Sequence, residues 1–435
     1  MATKAELDRL EISRLFNRFG FGPRPGEFTQ ALSSGVRVTQ EKLIVQPPRE
    51  VSENPFESAR PRDLGPRPAQ GGFALVEFSN EMRAQNIALP LWQLDQMVLS
   101  DYPLHEKMVW FWHGHWATSL SKLNYALPMF KQNLTFRKYA LGNFAELSEA
   151  MLTDGALQYW LDGQENTAKA PNENLARELM ELFVLGVNKY SEDDVKSLAR
   201  ILTGYQVVRY NGNVTFNPRR HDGAPVTLLG TTETFTPESA VRFLTARSDA
   251  QTFITDRIWF RLISSSEDAP ASLDRSSFNS RNTFSFLNSL ARSSVMRDEK
   301  YAMVKSPVEW FVGSCRALAL TPSQTKKPTA LLKQLEKLAQ LPFLPPNVGG
   351  WPAGELWLTS ASTQFRLALA AQLVSEADLT PLISTAAKSR SRYLADLLGV
   401  YQWSDRTESA LTAARTEPMR ALQLALCAPE YVVGA

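Results

Sequence analysis

Apolar residues recur along most of the chain three or four positions apart, which is the spacing of an α-helix. The repeat is clear at Leu91, Leu94, Met97 and Val98, at Val195, Leu198, Ala199 and Leu202, and at Leu331, Leu332, Leu335 and Leu338. Helix starts are also marked, because Ser191 precedes three acidic residues and both Pro103 and Pro307 suit a first turn. The pattern predicts a mainly α fold.

One stretch departs from this repeat. Two short runs of β-prone residues flank Asn211-Gly212. Since both residues of this pair accept a positive φ, the stretch predicts a β-hairpin with a tight two-residue turn at 206–217. A third short strand is expected at 226–230. The helical fold is therefore predicted to carry a small β-hairpin near residues 206–230.

Two other segments show no regular repeat. Residues 46–72 are rich in Pro, Glu, Arg and Gly, and residues 264–281 are rich in Ser and Asp, so both predict irregular loops. Neither loop clearly separates two independent apolar cores. We therefore expect one large helical domain over residues 1–435.

Charge and cysteine content narrow the class of protein. The 435 residues include 47 basic and 45 acidic side chains without a long run of one sign, so we predict no nucleic-acid face. No run of ~18 apolar residues occurs, and the N-terminus lacks the apolar segment of a secretory signal. No membrane span is predicted, and the chain as written is expected in the cytoplasm. Cys315 and Cys427 lie in apolar helix-like stretches and are expected as free thiols.

Three of the four histidines lie in two short polar motifs. His113 and His115 flank Gly114, and His221 directly precedes Asp222. Side chains two apart on a helix point about 200° apart, so a shared site requires Gly114 to leave the helical conformation and turn His115 back. The alternative is a packed motif in which one imidazole is hydrogen-bonded and the other is solvated. His105 is expected at the surface near a helix start.

A helix rich in amide and carboxylate groups offers further candidates. Asn174, Glu178 and Glu181 are spaced to share one helical face. Such a row can bind a cation or supply an acid and a base. The alternative is a solvated face with Arg177 and Lys189 as its charge partners.

The segment after the hairpin is the third candidate. Asp222 can orient a neighbouring imidazole or ligate a metal. Alternatively, it forms a turn in which the Asp222 side chain bonds its own backbone beside Gly223.

Ordered motifs along nearly the whole chain resemble a bacterial family, the domain of unknown function 1800. They lie at residues 17–26, 106–115, 171–182, 202–204, 221–223, 304–309, 346–352 and 428–431. The resemblance implies no established activity. It does imply that related proteins are often exported and encoded beside a sulfatase-like partner protein.

The leading hypothesis is a metal-dependent enzyme. His113, His115, His221 and Glu178 would ligate a divalent metal, with Glu181 and Asp222 as catalytic carboxylates. Mixed nitrogen and oxygen ligation suits Zn, Mn or Fe.

Two alternatives stay open. One is metal-free acid–base cleavage of a carbohydrate by Glu178 and Asp222. The other is a non-enzymatic partner-binding or assembly protein, whose polar motifs are buried structural networks.

Overall fold

The computed structural model describes residues 3–52, 56–69 and 72–434. The protein is mainly helical, with 62% helix and small two-stranded antiparallel sheets, which confirms the predicted fold class. Within these ranges, no helix combines the length and the apolar character that crossing a bilayer requires. The predicted loop at 46–72 contains a short helix, Arg49–Ser52, while its residues 53–55 and 70–71 lie outside the described part of the chain.

Helix starts follow the local sequence. Ser191 and Asp194 form a capping box, in which each side chain accepts a hydrogen bond from the other residue's backbone N–H. Ser306 and Glu309 form the same motif. The helices described are α1 (Lys4–Arg18), α2 (Glu27–Ser34), α3 (Val36–Leu43), α4 (Arg49–Ser52), α5 (Phe73–Leu99), α6 (Pro103–His115), α7 (Leu120–Leu123), α8 (Ala126–Tyr139), α9 (Phe144–Leu152), α10 (Gly155–Trp160), α11 (Asn174–Glu178), α12 (Glu192–Ile201), α13 (Pro237–Ala246), α14 (Ser248–Leu262), α15 (Thr283–Ala291), α16 (Pro307–Ala317), α17 (Pro328–Lys337), α18 (Ser360–Glu376), α19 (Thr380–Ser384), α20 (Arg390–Leu398), α21 (Asp405–Ala413), α22 (Pro418–Leu426) and α23 (Pro429–Val432).

The predicted hairpin is present, but its turn is longer than expected. The strands pair antiparallel as β1 (Tyr205–Val208) with β2 (Asn213–Phe216), β3 (Val226–Leu228) with β4 (Thr231–Glu233), and β5 (Met303–Val304) with β6 (Val433–Gly434). Val208 pairs with Asn213, so four residues join β1 to β2 and the predicted two-residue turn is wrong. Gly212 has a φ of 71°, whereas Asn211 avoids positive φ and its side chain accepts from the Asn213 backbone N–H. The strand expected at 226–230 belongs to a second hairpin instead.

Helix α6 lies where two apolar cores meet. Phe111 belongs to one core together with Leu262 of α14. Trp110 belongs to the other, together with Trp351 and Trp357. Because adjacent residues of α6 enter different cores, this helix is buried on most sides. The cavity described in the next subsection lies along this boundary.

A buried polar network joins α8 to the start of α10. The Thr118 hydroxyl donates to Gln132 Oε1 at 2.6 Å, and Gln132 Nε2 donates to Asp154 Oδ1 at 2.8 Å. The same Asp154 oxygen caps α10 by accepting from the Leu157 N–H at 2.7 Å. Burial raises the pKa of Asp154 from 3.8 to about 7, although these hydrogen bonds oppose the rise.

This raised pKa has a consequence for stability. The folded protein holds the Asp154 proton at pH values where the unfolded chain has lost it, so stability falls as pH rises from 3.8 to about 7. We expect Asp154→Asn, which is neutral and caps a helix equally well, to stabilise the protein by on the order of a few kcal/mol at about pH 8. Urea unfolding at about pH 5 and about pH 8 measures this.

The matched control is Asp274, an exposed capping residue whose pKa is lowered by hydrogen bonds from Ser276 and Ser289. Asp274→Asn is expected to give no stabilisation at the higher pH. An Asp154→Asn protein whose stability varies with pH as the wild type does would contradict the assignment.

Candidate functional site

The His-Gly-His motif is helical throughout, contrary to the expectation that Gly114 breaks the helix. Helix α6 continues through His115, so the two imidazoles point in different directions. His113 Nε2 accepts from the Phe343 backbone N–H at 2.9 Å, whereas His115 Nε2 donates to the Phe183 carbonyl at 2.8 Å. Burial lowers the pKa of each histidine to about 3, so both rings are neutral.

His105 was expected at the surface, and this is wrong. Its side chain is buried, and His105 Nε2 donates to the Arg137 carbonyl at 2.8 Å. Helices α6 and α8 pack together, so the first turn of α6 at His105 is covered instead of facing solvent.

The Asn/Glu helix changes its geometry in the middle. After α11, residues Leu179–Val184 form a π-helix, which rotates Glu181 away from the face predicted for a regular α-helix. The Tyr190 hydroxyl donates to the Glu181 carboxylate. Burial, and then the neighbouring charge of Glu181, raise the pKa of Glu178. The two carboxylates therefore influence each other, as expected of neighbours.

Neither predicted charge partner, Arg177 or Lys189, forms an ion pair with Glu178 or Glu181 within the described residues. Arg177 forms ion pairs with Glu173 and Glu192. Lys189 lies 3.7 Å from Asp249 instead.

Asp222 forms an ion pair and a turn. Its Oδ2 accepts from Arg200 Nε at 2.7 Å, and its Oδ1 accepts from the Ala224 backbone N–H. Arg200 holds the pKa of Asp222 below its usual value. His221 Nδ1 donates to the Thr203 carbonyl at 3.0 Å. The geometry matches the turn interpretation of this segment.

The predicted metal ligands do not form a cluster. Within the described ranges, no group of three or more His, Cys, Asp or Glu residues is arranged to hold a metal ion. His113, His115 and His221 each use a ring nitrogen in a hydrogen bond to the backbone. The metal centre built from His113, His115, Glu178 and His221 therefore gains no geometric support and stays a prediction.

A different set of residues does converge. Two adjoining cavities of about 50 Å³ and about 20 Å³ lie beside α6, and they share the side chains of Lys107, Arg261 and Glu309. We call them together the basic cavity. Among the described residues, its charged lining comprises five basic side chains and one carboxylate, namely Arg14, Arg18, Lys107, Arg261, Lys305 and Glu309. Its apolar wall is formed by Trp110, Trp351 and Trp357.

The carboxylate of the basic cavity is already engaged. Glu309 Oε2 accepts from the Ser306 backbone N–H at 3.0 Å, and Glu309 Oε1 accepts from Lys107 Nζ. Burial alone would raise the pKa of Glu309, but Lys107 and Ser306 outweigh it and lower the pKa. Glu309 is thus a carboxylate that neutralises Lys107.

Lys305 lacks such a partner. Its side chain is buried, and Nζ lies 3.6 Å from the centroid of the Tyr431 ring. Within the described residues, Lys305 Nζ makes no hydrogen bond or ion pair. Lys305 lines the same part of the basic cavity as Lys107 and Glu309. Burial and then Lys107 lower the pKa of Lys305 to about 7, against the opposing effect of Glu309.

The arginines add further positive charge. Arg261 donates to the carbonyls of Trp351 and Pro352, which are neutral acceptors. Burial and then Arg257 lower the pKa of Arg261 to about 10, and Glu309 opposes this. Burial also lowers the pKa of Arg14 and Arg18.

The basic cavity draws on five of the segments that carry the family resemblance. Four of these segments contribute lining residues, namely Asn17 and Arg18, then Lys107, Trp110, Phe111 and Gly114, then Val304, Lys305, Ser306 and Glu309, and finally Trp351. The fifth contributes Tyr431, whose ring lies against Lys305. The described lining contains none of the candidate residues predicted from the sequence, namely His113, His115, His221, Glu178, Glu181 and Asp222. His221 lines a separate cavity beside the first hairpin.

The basic residues of this cavity were not among the candidates predicted from the sequence. A signal was available in the sequence, because Lys107 precedes Met108-Val109-Trp110 and Lys305 lies between Val304 and a capping box. Charges within segments that must be buried need a partner or a role.

Comparison with known proteins agrees with the resemblance. A family model described as "Protein of unknown function (DUF1800)" matches residues 14–433. No curated protein and no solved structure matches the chain.

Proposed function

Since the chain belongs to the DUF1800 family, whose description names no activity, we propose a function from the chemistry of the basic cavity: the protein binds a small molecule that carries an oxyanion group. The observation that supports this is the gathering of three basic side chains, Lys107, Arg261 and Lys305, around the Glu309 carboxylate in the described lining. Buried positive charge is costly unless an anion compensates it.

The shape of the basic cavity narrows the ligand. Volumes of about 50 Å³ and about 20 Å³ suit a group of a few heavy atoms, such as a carboxylate or a phosphate. Arg261 offers a planar guanidinium, which matches an oxyanion in two-point contact. The stacked rings of Trp110 and Trp351, 4.8 Å apart, form a rigid apolar wall beside it. The ligand is therefore a compact anion with an apolar part.

The binding test uses inorganic phosphate, sulfate and oxalate as probes. We expect at least one of them to raise the melting temperature and to bind in calorimetry. Arg261→Met is expected to weaken binding by about tenfold, or about 1.4 kcal/mol, because it removes one positive charge from the cavity. Glu309→Gln is expected to strengthen binding, because the competing carboxylate is lost while glutamine still completes the capping box.

The two variants are expected to change the affinity in opposite directions. This distinguishes an effect of charge from structural damage, because a damaged cavity would weaken binding in both variants. Lys333→Met, at an exposed position on α17, is the matched control and should bind as the wild type does. Three probes without effect on melting or heat, or equal affinity in all variants, would end the proposal.

Metal-dependent catalysis at His113, His115, Glu178 and His221 remains a prediction from the sequence. Elemental analysis of purified protein tests it, and metal-free protein whose melting is unaffected by a chelator would argue against it. The single ligand class supported by side-chain placement is the oxyanion in the basic cavity.

A further inference from the structure

Lys305 differs from the other cations of the basic cavity in its surroundings. Lys107 has Glu309, and Arg14 and Arg261 donate to backbone carbonyls. Lys305 Nζ instead rests on the face of Tyr431, 3.6 Å from the ring centroid, and is without a hydrogen bond to any described residue. Burial raises the pKa of Tyr431 and keeps its phenol neutral, so the tyrosine cannot serve as a counter-ion. The amine is held in place without a counter-ion among the described residues.

The backbone around Lys305 fixes where its side chain starts. The Lys305 N–H donates to the Val432 carbonyl at 2.9 Å, next to the pairing of β5 with β6. The Lys305 carbonyl accepts from Arg366. One residue later, Ser306 begins the capped helix α16. Hydrogen bonds at its N–H and its carbonyl therefore fix the Lys305 backbone, while its side chain lines the basic cavity. A reactive lysine would be positioned in this way.

From this placement we infer that Lys305 is a nucleophile that forms an imine with the carbonyl group of a small 2-oxo acid. The inference rests on the proposed oxyanion site, because Arg261 would hold the carboxylate adjacent to the carbonyl. A 2-oxo acid is the compact molecule in which the two groups are directly bonded, and the cavities suit few heavy atoms.

The reaction is balanced without an outside reagent. The neutral Lys305 amine attacks the carbonyl carbon, a carbon–nitrogen bond forms, and the carbonyl oxygen takes up a proton. Loss of that oxygen as water gives the imine, so amine and ketone yield imine and water. The step needs unprotonated amine, and the lowered pKa of about 7 provides it near neutral pH. A second cation beside a buried lysine is a known means of activating such an amine.

The experiment is reductive trapping on the full chain at about neutral pH, where exposed lysines remain protonated. The protein is incubated with pyruvate and cyanoborohydride, which reduces an imine to a stable secondary amine. Peptide mass spectrometry of wild-type protein then locates the adduct. We expect it on Lys305, because unprotonated amine and bound carboxylate coincide there. Lys305→Arg, which keeps the positive charge but lacks the nucleophile, should lose this adduct.

Two controls test the parts of the inference separately. Lys333→Met removes an exposed lysine and should be labelled on Lys305 as the wild type is. Acetone, which has the ketone but no carboxylate, should be trapped at least about tenfold less, and oxalate should protect Lys305 from pyruvate. Trapping of acetone as efficient as that of pyruvate would overturn the assignment of the substrate class.

The outcomes distinguish this inference from the proposed function. Adducts on exposed lysines alone, with oxalate or phosphate still bound, would overturn the role of Lys305 and leave the oxyanion site standing. Absence of both adduct and anion binding would overturn both. Since the adduct is located on wild-type protein, the result does not depend on any variant folding.

Discussion

Replacing Arg137 by methionine is expected to lower the free energy of unfolding by about 3–5 kcal/mol, because it leaves a buried carboxylate uncompensated. Arg137 donates to both oxygens of Glu106, at 2.5 and 2.9 Å, and the two side chains are 1% and 4% exposed. Burial would raise the pKa of Glu106, but Arg137 and His105 outweigh it and lower the pKa to about 2. Methionine fills similar space without charge.

The pH dependence of the Arg137→Met variant identifies the cause. Without its partner, Glu106 is expected to take a proton more readily in the folded protein than in the unfolded chain. The loss of stability should therefore shrink as pH falls towards the usual carboxyl range. Adding Glu106→Gln should recover part of the loss, since no charge then remains buried. Urea unfolding of the single and double variants measures both effects.

Arg242 provides the matched control. It also donates twice to one carboxylate, that of Glu149, but its side chain is 68% exposed. Arg242→Met is expected to change stability by less than about 1 kcal/mol, because a solvated pair contributes little. Equal losses at Arg137 and Arg242 would show that burial does not set the strength of the pair.

Gly350→Ala is expected to lower stability by about 2–4 kcal/mol and to disturb the basic cavity. Gly350 has a φ of 82°, where a side chain is strained, and an added Cβ would lie 2.2 Å from the Gly114 carbonyl oxygen. The backbone at Gly350 or at Gly114 would have to move to relieve this contact. The next residue, Trp351, would move with it and separate from Trp110. Unfolding in urea and binding of the oxyanion probes should both report the change.

Gly114→Ala is the control on the opposite side of the same contact. Gly114 is helical, and its added Cβ would meet a Trp351 ring atom at 3.9 Å, an ordinary contact. Since alanine favours a helix interior over glycine, this variant should be neutral or more stable by up to about 1 kcal/mol. A destabilised Gly114→Ala protein with an unaffected Gly350→Ala protein would contradict the described packing.

Local chemistry explains which parts of the fold could be predicted. The capping residues Ser191 and Ser306 and the first-turn prolines act within a few residues of their own position, so their effects are visible in the sequence. The turn at Gly212 was predicted in place but not in length, because the Gly212 N–H donates to the Val208 carbonyl and the Asn211 side chain accepts from the Asn213 N–H, which closes a four-residue loop. Cys315 and Cys427 are free, as expected.

The candidate site depended on contacts between distant segments, which no spacing rule supplies. The π-helix at Leu179–Val184 changes the direction of Glu181, and this irregularity has no local signature in the apolar repeat. The histidines were predicted as metal ligands because they are scarce, yet His113, His115 and His221 each make a hydrogen bond to the backbone. Lys107 and Lys305 were not predicted as site residues, because their burial is decided by tertiary packing. Lys305 is covered by Tyr431, a residue far away in the sequence.

The pairing of β5 with β6 has a consequence for how the molecule is made. Helix α1, with Arg14 and Arg18, leaves the ribosome early, whereas Tyr431 and β6 are synthesised long afterwards. Until Tyr431 has been synthesised, Lys305 lacks the aromatic ring that covers it in the folded protein. Bringing segments so distant in the sequence together is also slow. If the protein binds an oxyanion as proposed, the complete site can form only after Tyr431 and β6 have been synthesised and have packed against Lys305.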